Sequence, residues 1–122
     1  MPIRVVRLGT PRAPDEGPRL GTVRRPPRGV KKQDYAKLDY YDAWLPDLAP
    51  SAKLIKTALA DWKKFARLYR QEMRVRAHLL QVLAALFREG NFSVGCYCED
   101  QKRCHRSILR QLLAEHGARI AV

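Results

Sequence analysis

The residues most able to do chemistry lie in one stretch, GCYCEDQKRCHRSIL at 95–109, which holds all three cysteines, a histidine and two arginines. Its pattern predicts a strand, a short polar loop and then a helix opening at Cys104 or His105. Cys104 is flanked by Arg103 and Arg106. A helix start offers free backbone N–H groups and the positive end of the dipole, so negative charge is favoured there. The first chemistry this suggests is anion binding, with Arg103, Arg106 and Ser107 holding a phosphate or carboxylate. The second is covalent: thiols in such places can have pKa values lowered to roughly 3.5–7.5. Cys104 would then be a nucleophile or redox thiol, with His105 or a distant histidine as base.

The third chemistry is a metal. Cys96, Cys98, Cys104 and His105 read Cys-x-Cys-x5-Cys-His, the ligand types zinc prefers. Neighbouring residues at a helix start are not expected to converge on one ion, so Cys104 and His105 argue against this set. A cysteine phosphatase is disfavoured too, since its Cys-x5-Arg spacing, counted from Cys98, reaches Cys104 and not an arginine. A plain structural alternative stands beside all three: Cys104 or Ser107 caps the helix, Arg106 pairs with a carboxylate such as Asp100, and His105 is solvated.

These residues need elements to position them. Residues 3–8 and 19–25 read as strands, the second ended by Pro26-Pro27, because proline cannot donate to a sheet ladder. Residues 9–18 between them hold three prolines and two glycines, a loop. A short strand is expected within 40–44. Ser51 and Asp61 are natural N-caps. The stripe Trp62, Phe65, Ala66, Tyr69 and Met73 marks a core-facing helix. A third helix is expected over about 76–89, stopped by Gly90.

Residues 92–97 form the next strand. Alternation points Cys96 to the same side as Phe92 and Val94, hence into the core, and puts Cys98 at the strand's end. The last helix runs to about His116, and residues 119–122 complete the chain as a short strand. Alternating strands and helices predict one α/β domain over residues 1–122, with a partly parallel sheet of about three to five strands. It divides into basic strands and loops at 1–32, a helical segment at 51–89 and a strand-loop-helix unit at 92–122. Ligands of such sheets bind beyond the carboxyl ends of the strands, where the cysteine loop falls.

Charge narrows the partners. The chain carries a formal +12 over 122 residues. Residues 1–32 hold nine basic against two acidic residues, a surplus of seven, so this third is the expected anion-facing surface. Arg24 and Arg28 are expected to bring charge to the cysteine loop. The expected ligand is a phosphate of a nucleotide or of nucleic acid, and no cofactor is expected unless zinc fills the cysteine set. A non-enzymatic interaction module using Tyr40, Tyr41 and Trp44 is the remaining alternative. The longest nearly apolar run, residues 79–87, falls far short of the roughly 20 residues of a membrane span. No signal peptide is visible, since Arg4 and Arg7 interrupt the apolar start. With an odd number of cysteines, a cytoplasmic, reducing location is expected.

The Cys-His-Arg triplet at 104–106 resembles that of domain of unknown function 488, the YeaO-like proteins. Arg7, RRPPRG at 24–29, WLPDLAPS at 44–51, Trp62 and YRQEM at 69–73 follow in the family's order, so the likeness covers nearly the whole chain. Relatives often show Asp-Arg-Leu-Trp-Pro-Arg-Gly where this chain has VRRPPRG at 23–29, and many YeaO-like relatives lack the triplet. The resemblance implies a small cytoplasmic α/β domain. It implies no established reaction, and it ties the cysteines to one branch of the family.

Overall fold

At the centre of the sheet lies β4 (Ser93–Cys96), buried along its whole length. A strand covered on both faces and paired on both edges reads as a continuous buried run, which Ser-Val-Gly-Cys achieves with small side chains. The computed structural model describes residues 3–57, 60–86, 92–98 and 104–117. In it β4 is flanked by β1 (Arg4–Arg7) and β2 (Arg19–Gly21), and β3 (Ala43–Trp44) pairs with the outer edge of β2. The order is β1-β4-β2-β3, and every pairing is parallel. The register sets Val5 and Leu20 against Val94, and Val6 and Gly21 against Gly95.

Gly95 has a physical reason to be glycine. A Cβ there would lie 2.7 Å from the Val6 carbonyl oxygen and 2.8 Å from a Leu8 methyl. Thr22, just past β2, extends this join, its amide and its hydroxyl both donating to the Gly95 carbonyl at 2.9 and 3.0 Å.

Among the described residues, four α-helices pack with the sheet: α1 (Ala52–Ile55), α2 (Trp62–Arg74), α3 (Ala77–Leu86) and α4 (His105–Glu115). The expected caps form, Ser51 Oγ accepting from Leu54 N–H at 3.2 Å and Asp61 Oδ1 from Lys64 N–H at 3.1 Å. Phe65, Tyr69 and Met73 of α2 face inward with Leu80, Leu83, Ile108, Leu109 and Leu113, and they close on Ile3 and Val94. A second, smaller apolar cluster of Leu8, Val23, Tyr41, Cys96 and Cys104 sits beyond the carboxyl ends of the strands.

The structure is the α/β arrangement that the periodicity predicts, and the sheet is parallel throughout its described strands. β2 is shorter than expected, because the chain turns out of the ladder at Thr22 before reaching the prolines. The expected helix stop at Gly90 and the terminal strand at 119–122 lie outside the described residues. Among those described, no helix is long and apolar enough to cross a membrane.

The loop joining β1 to β2 carries no helix; buried charge holds it. Arg19 is 1% exposed and its guanidinium donates to Glu16 at 2.9 Å and to the carbonyls of Thr10 and Asp39 at 2.8 and 2.6 Å. A buried ion pair is tolerated when its remaining protons are satisfied, as they are here.

Candidate functional site

The site forms where β4 ends, β2 turns away and α4 begins. Cys96 is the last residue of β4 and is 1% exposed; Cys104 precedes α4 and is 3% exposed; their sulfurs lie 2.9 Å apart. All three cysteines are free thiols, and Cys98 is the exposed one.

His105 opens α4 and is buried. Its Nε2 lies 2.7 Å from the Thr22 carbonyl oxygen, which can only accept, so the proton is assigned to Nε2. Nδ1 is then bare, and it lies 3.7 Å from Cys104 Sγ. Tyr69 closes the other side, its ring edge-on to the imidazole at 5.6 Å and its hydroxyl bonded to the Leu48 carbonyl at 2.7 Å. Burial pushes the His105 pKa down to about 4, so the ring is neutral at physiological pH.

The Cys96 and Cys104 sulfurs and one ring nitrogen of His105 lie within 4.8 Å of one another. These side chains form a Cys/His cluster that could hold a metal ion. The expectation that Cys104 and His105 would fail to converge is therefore corrected. Cys104 has extended backbone, φ −134° and ψ 152°, while His105 is the first helical residue. The change of backbone between them turns both side chains toward Cys96.

The three thiols share their protons unequally. Cys98 is held well below the ordinary thiol range by hydrogen bonds from Cys104 and Cys96, against the opposing effect of burial, and His105 and Arg106 add to the lowering. Cys96 is pushed up because it donates to Cys104 and Cys98 and is buried. Cys104 receives from Cys96, which lowers it, but it donates to Cys98 and is buried, and the balance leaves it raised. Of the three, Cys98 at the exposed end is the thiol that its neighbours pull down.

Cys98 opens onto a cavity of about 930 Å³, whose lining includes Arg24, Arg25, Arg28 and Lys56, with Tyr40, Tyr97, Cys96 and His105. No aspartate or glutamate is among its described lining residues. Arg24 is held by the Pro50 and Ala49 carbonyls at 3.2 and 3.4 Å. Tyr40 and Tyr97 meet edge to face at 6.2 Å, and the Tyr97 hydroxyl donates to the Arg25 carbonyl at 3.0 Å.

The sequence-predicted residues divide accordingly. Arg24 and Arg28 reach the cavity with Cys96, Cys98 and His105. Arg106 is buried and does not line it: its guanidinium donates to the Cys98 carbonyl at 2.6 Å, and its Nε has no partner among the described residues. Ser107 Oγ donates to the Cys104 carbonyl at 2.9 Å. Arg103 and Asp100 lie outside the described residues. His105 is not solvated, as the plain alternative had it, but buried against Thr22 and Tyr69.

Of the aromatic segment, Tyr41 is buried, Tyr40 lines the cavity, and Trp44 is half-exposed with its indole N–H on the Val23 carbonyl at 2.6 Å. Arg25, Lys56, Tyr97 and Thr22 were not singled out by the sequence. Arg25 stands inside the motif RRPPRG and was legible there. Thr22 acts through its carbonyl, which no residue type announces.

A family model described as DUF488-N3a, active DUF488-N3 subclade, matches residues 3–117. No curated protein and no solved structure matches the chain. With nearly its whole length matched, and with the Cys-His-Arg triplet set at the end of a parallel sheet, the chain belongs to the DUF488 family.

Proposed function

We propose that the protein binds an anionic ligand bearing an aromatic group, a nucleotide or a stretch of nucleic acid, in the cavity above Cys98. One observation carries the reading: four basic residues, and no carboxylate, among the described residues that line it. Most other arginines of the N-terminal third are already engaged. Arg4 pairs with Asp15, Arg12 with Asp39 and Asp42, and Arg19 with Glu16. Arg25, Arg28 and Lys56 are exposed at the cavity. Guanidinium groups donate in pairs to phosphate oxygens, and the Tyr40 and Tyr97 rings offer faces on which a base can stack. Cys98 lies beside this ligand, in reach of an electrophilic centre on it.

The test is binding of ATP, inorganic pyrophosphate and a short oligothymidylate as salt rises from about 50 to about 200 mM. The expected result is binding that weakens with salt, and weakens about tenfold or more in the R25A/R28A double variant, since charge-assisted hydrogen bonds contribute about 1.5–3 kcal/mol each. Failure of all three probes to bind at low salt, or equal affinity in the variant, overturns the proposal.

A further inference from the structure

We infer that Cys96, Cys104 and His105 form a site for a tetrahedral divalent cation of the zinc type, with the fourth coordination position facing the cavity. This goes beyond the anion reading and does not depend on it.

The donor set is two thiols and an imidazole, the ligands that borderline-soft zinc selects. Zinc holds sulfur at about 2.3 Å and nitrogen at about 2.0 Å, which places tetrahedral ligand atoms roughly 3.5–3.8 Å apart. Cys104 Sγ and His105 Nδ1 are already 3.7 Å apart, and all three donor atoms fall within 4.8 Å. The two sulfurs, at 2.9 Å, need to open by somewhat under about 1 Å.

The second observation is the support behind His105. Metal-ligating histidines donate their other ring N–H to a carbonyl or carboxylate, which fixes the tautomer and the ring's orientation. Here Nε2–H is taken by the Thr22 carbonyl at 2.7 Å, with Thr22 Oγ1 at 3.2 Å, and Nδ1 is left bare toward the sulfurs. Cys96 and His105 also line the cavity, so an ion between them is open to it. Cys98, hydrogen-bonded to both sulfurs, stands nearest the fourth position: its thiolate would close a structural site, and water or substrate in its place would leave an open one.

The experiment uses full-length protein purified without chelator. Elemental analysis is expected to find about one zinc per chain. After removal of the metal, titration with Co(II) is expected to produce the sulfur-to-cobalt charge-transfer absorption and the intense visible bands of a tetrahedral ion. C104S and H105A are expected to weaken Co(II) binding by at least tenfold, and H105C, which restores a ligand, to keep the tetrahedral spectrum. Far-UV circular dichroism separates loss of binding from loss of fold. A wild-type Co(II) spectrum without charge transfer overturns the site, whatever the variants do. So does a tetrahedral spectrum unchanged in folded C104S and H105A.

Discussion

Three cysteines eight residues apart at most are placed in three different environments, and their reactivity follows from place more than from sequence. Cys104 has the flanking arginine and the helix start that favour a thiolate, yet it is buried and gives a hydrogen bond to Cys98. Cys98 has neither a helix start nor an adjacent basic residue, yet it is exposed and collects hydrogen bonds from both neighbours. Reactivity of a thiol requires access as well as charge. Iodoacetamide added to the native protein should therefore modify Cys98 first, with Cys96 and Cys104 modified only on unfolding. Peptide mass spectrometry reads the order, and early labelling of Cys104 would contradict this assignment.

Elements bring these residues together by close approach of backbones. Gly95 lets β4 lie against Val6, and Thr22 then reaches both the Gly95 carbonyl and His105. Gly95→Ala is expected to cost about 1–3 kcal/mol in urea unfolding, because the added methyl meets backbone that cannot turn aside. A second tie runs from the 8–18 loop to the segment before β3, where Asp42 accepts from Arg12 at 2.6 Å and from the Arg19 amide at 2.7 Å. Burial alone would raise the Asp42 carboxyl, but these bonds bring it below the ordinary carboxylate value. A depressed folded pKa gives stability that is full above the unfolded value near 3.9 and lost as pH falls through the folded value. Asp42→Asn should cost about 1 kcal/mol at neutral pH, the side chain being partly solvent-screened, and the gap to wild type should close as pH falls below the ordinary carboxylate range. Unfolding at the two pH values reads it.

These ties also show what the sequence could reveal. The strands, the caps Ser51 and Asp61 and the stripe Phe65, Tyr69, Met73 were legible because periodicity and capping are local. The convergence of Cys104 with His105 was not, since it depends on one extended residue before a helix. Nor was Lys56, which follows α1 and is brought to the cavity only by tertiary packing.

At the scale of the whole molecule, ion pairing leaves the formal +12 untouched, since each pair is neutral, and fixes only where the remaining basic side chains lie. Arg4, Arg12 and Arg19 hold the N-terminal loop to carboxylates, and Arg70 pairs with Glu115 between α2 and α4. Part of the open charge, Arg24, Arg25, Arg28 and Lys56, lies at the carboxyl edge of the parallel sheet, beside the Cys/His cluster, with two tyrosines for a wall. Lys63, Lys64 and Arg67 form a separate, exposed basic face on α2. The most direct measurement of the central claim is an ATP titration followed by amide and tyrosine-ring NMR shifts. Shifts concentrated at Arg25, Arg28, Lys56, Tyr40, Tyr97 and Cys98, and saturating together, are predicted. Shifts scattered over the Lys63, Lys64 and Arg67 face, or none at all, would contradict it.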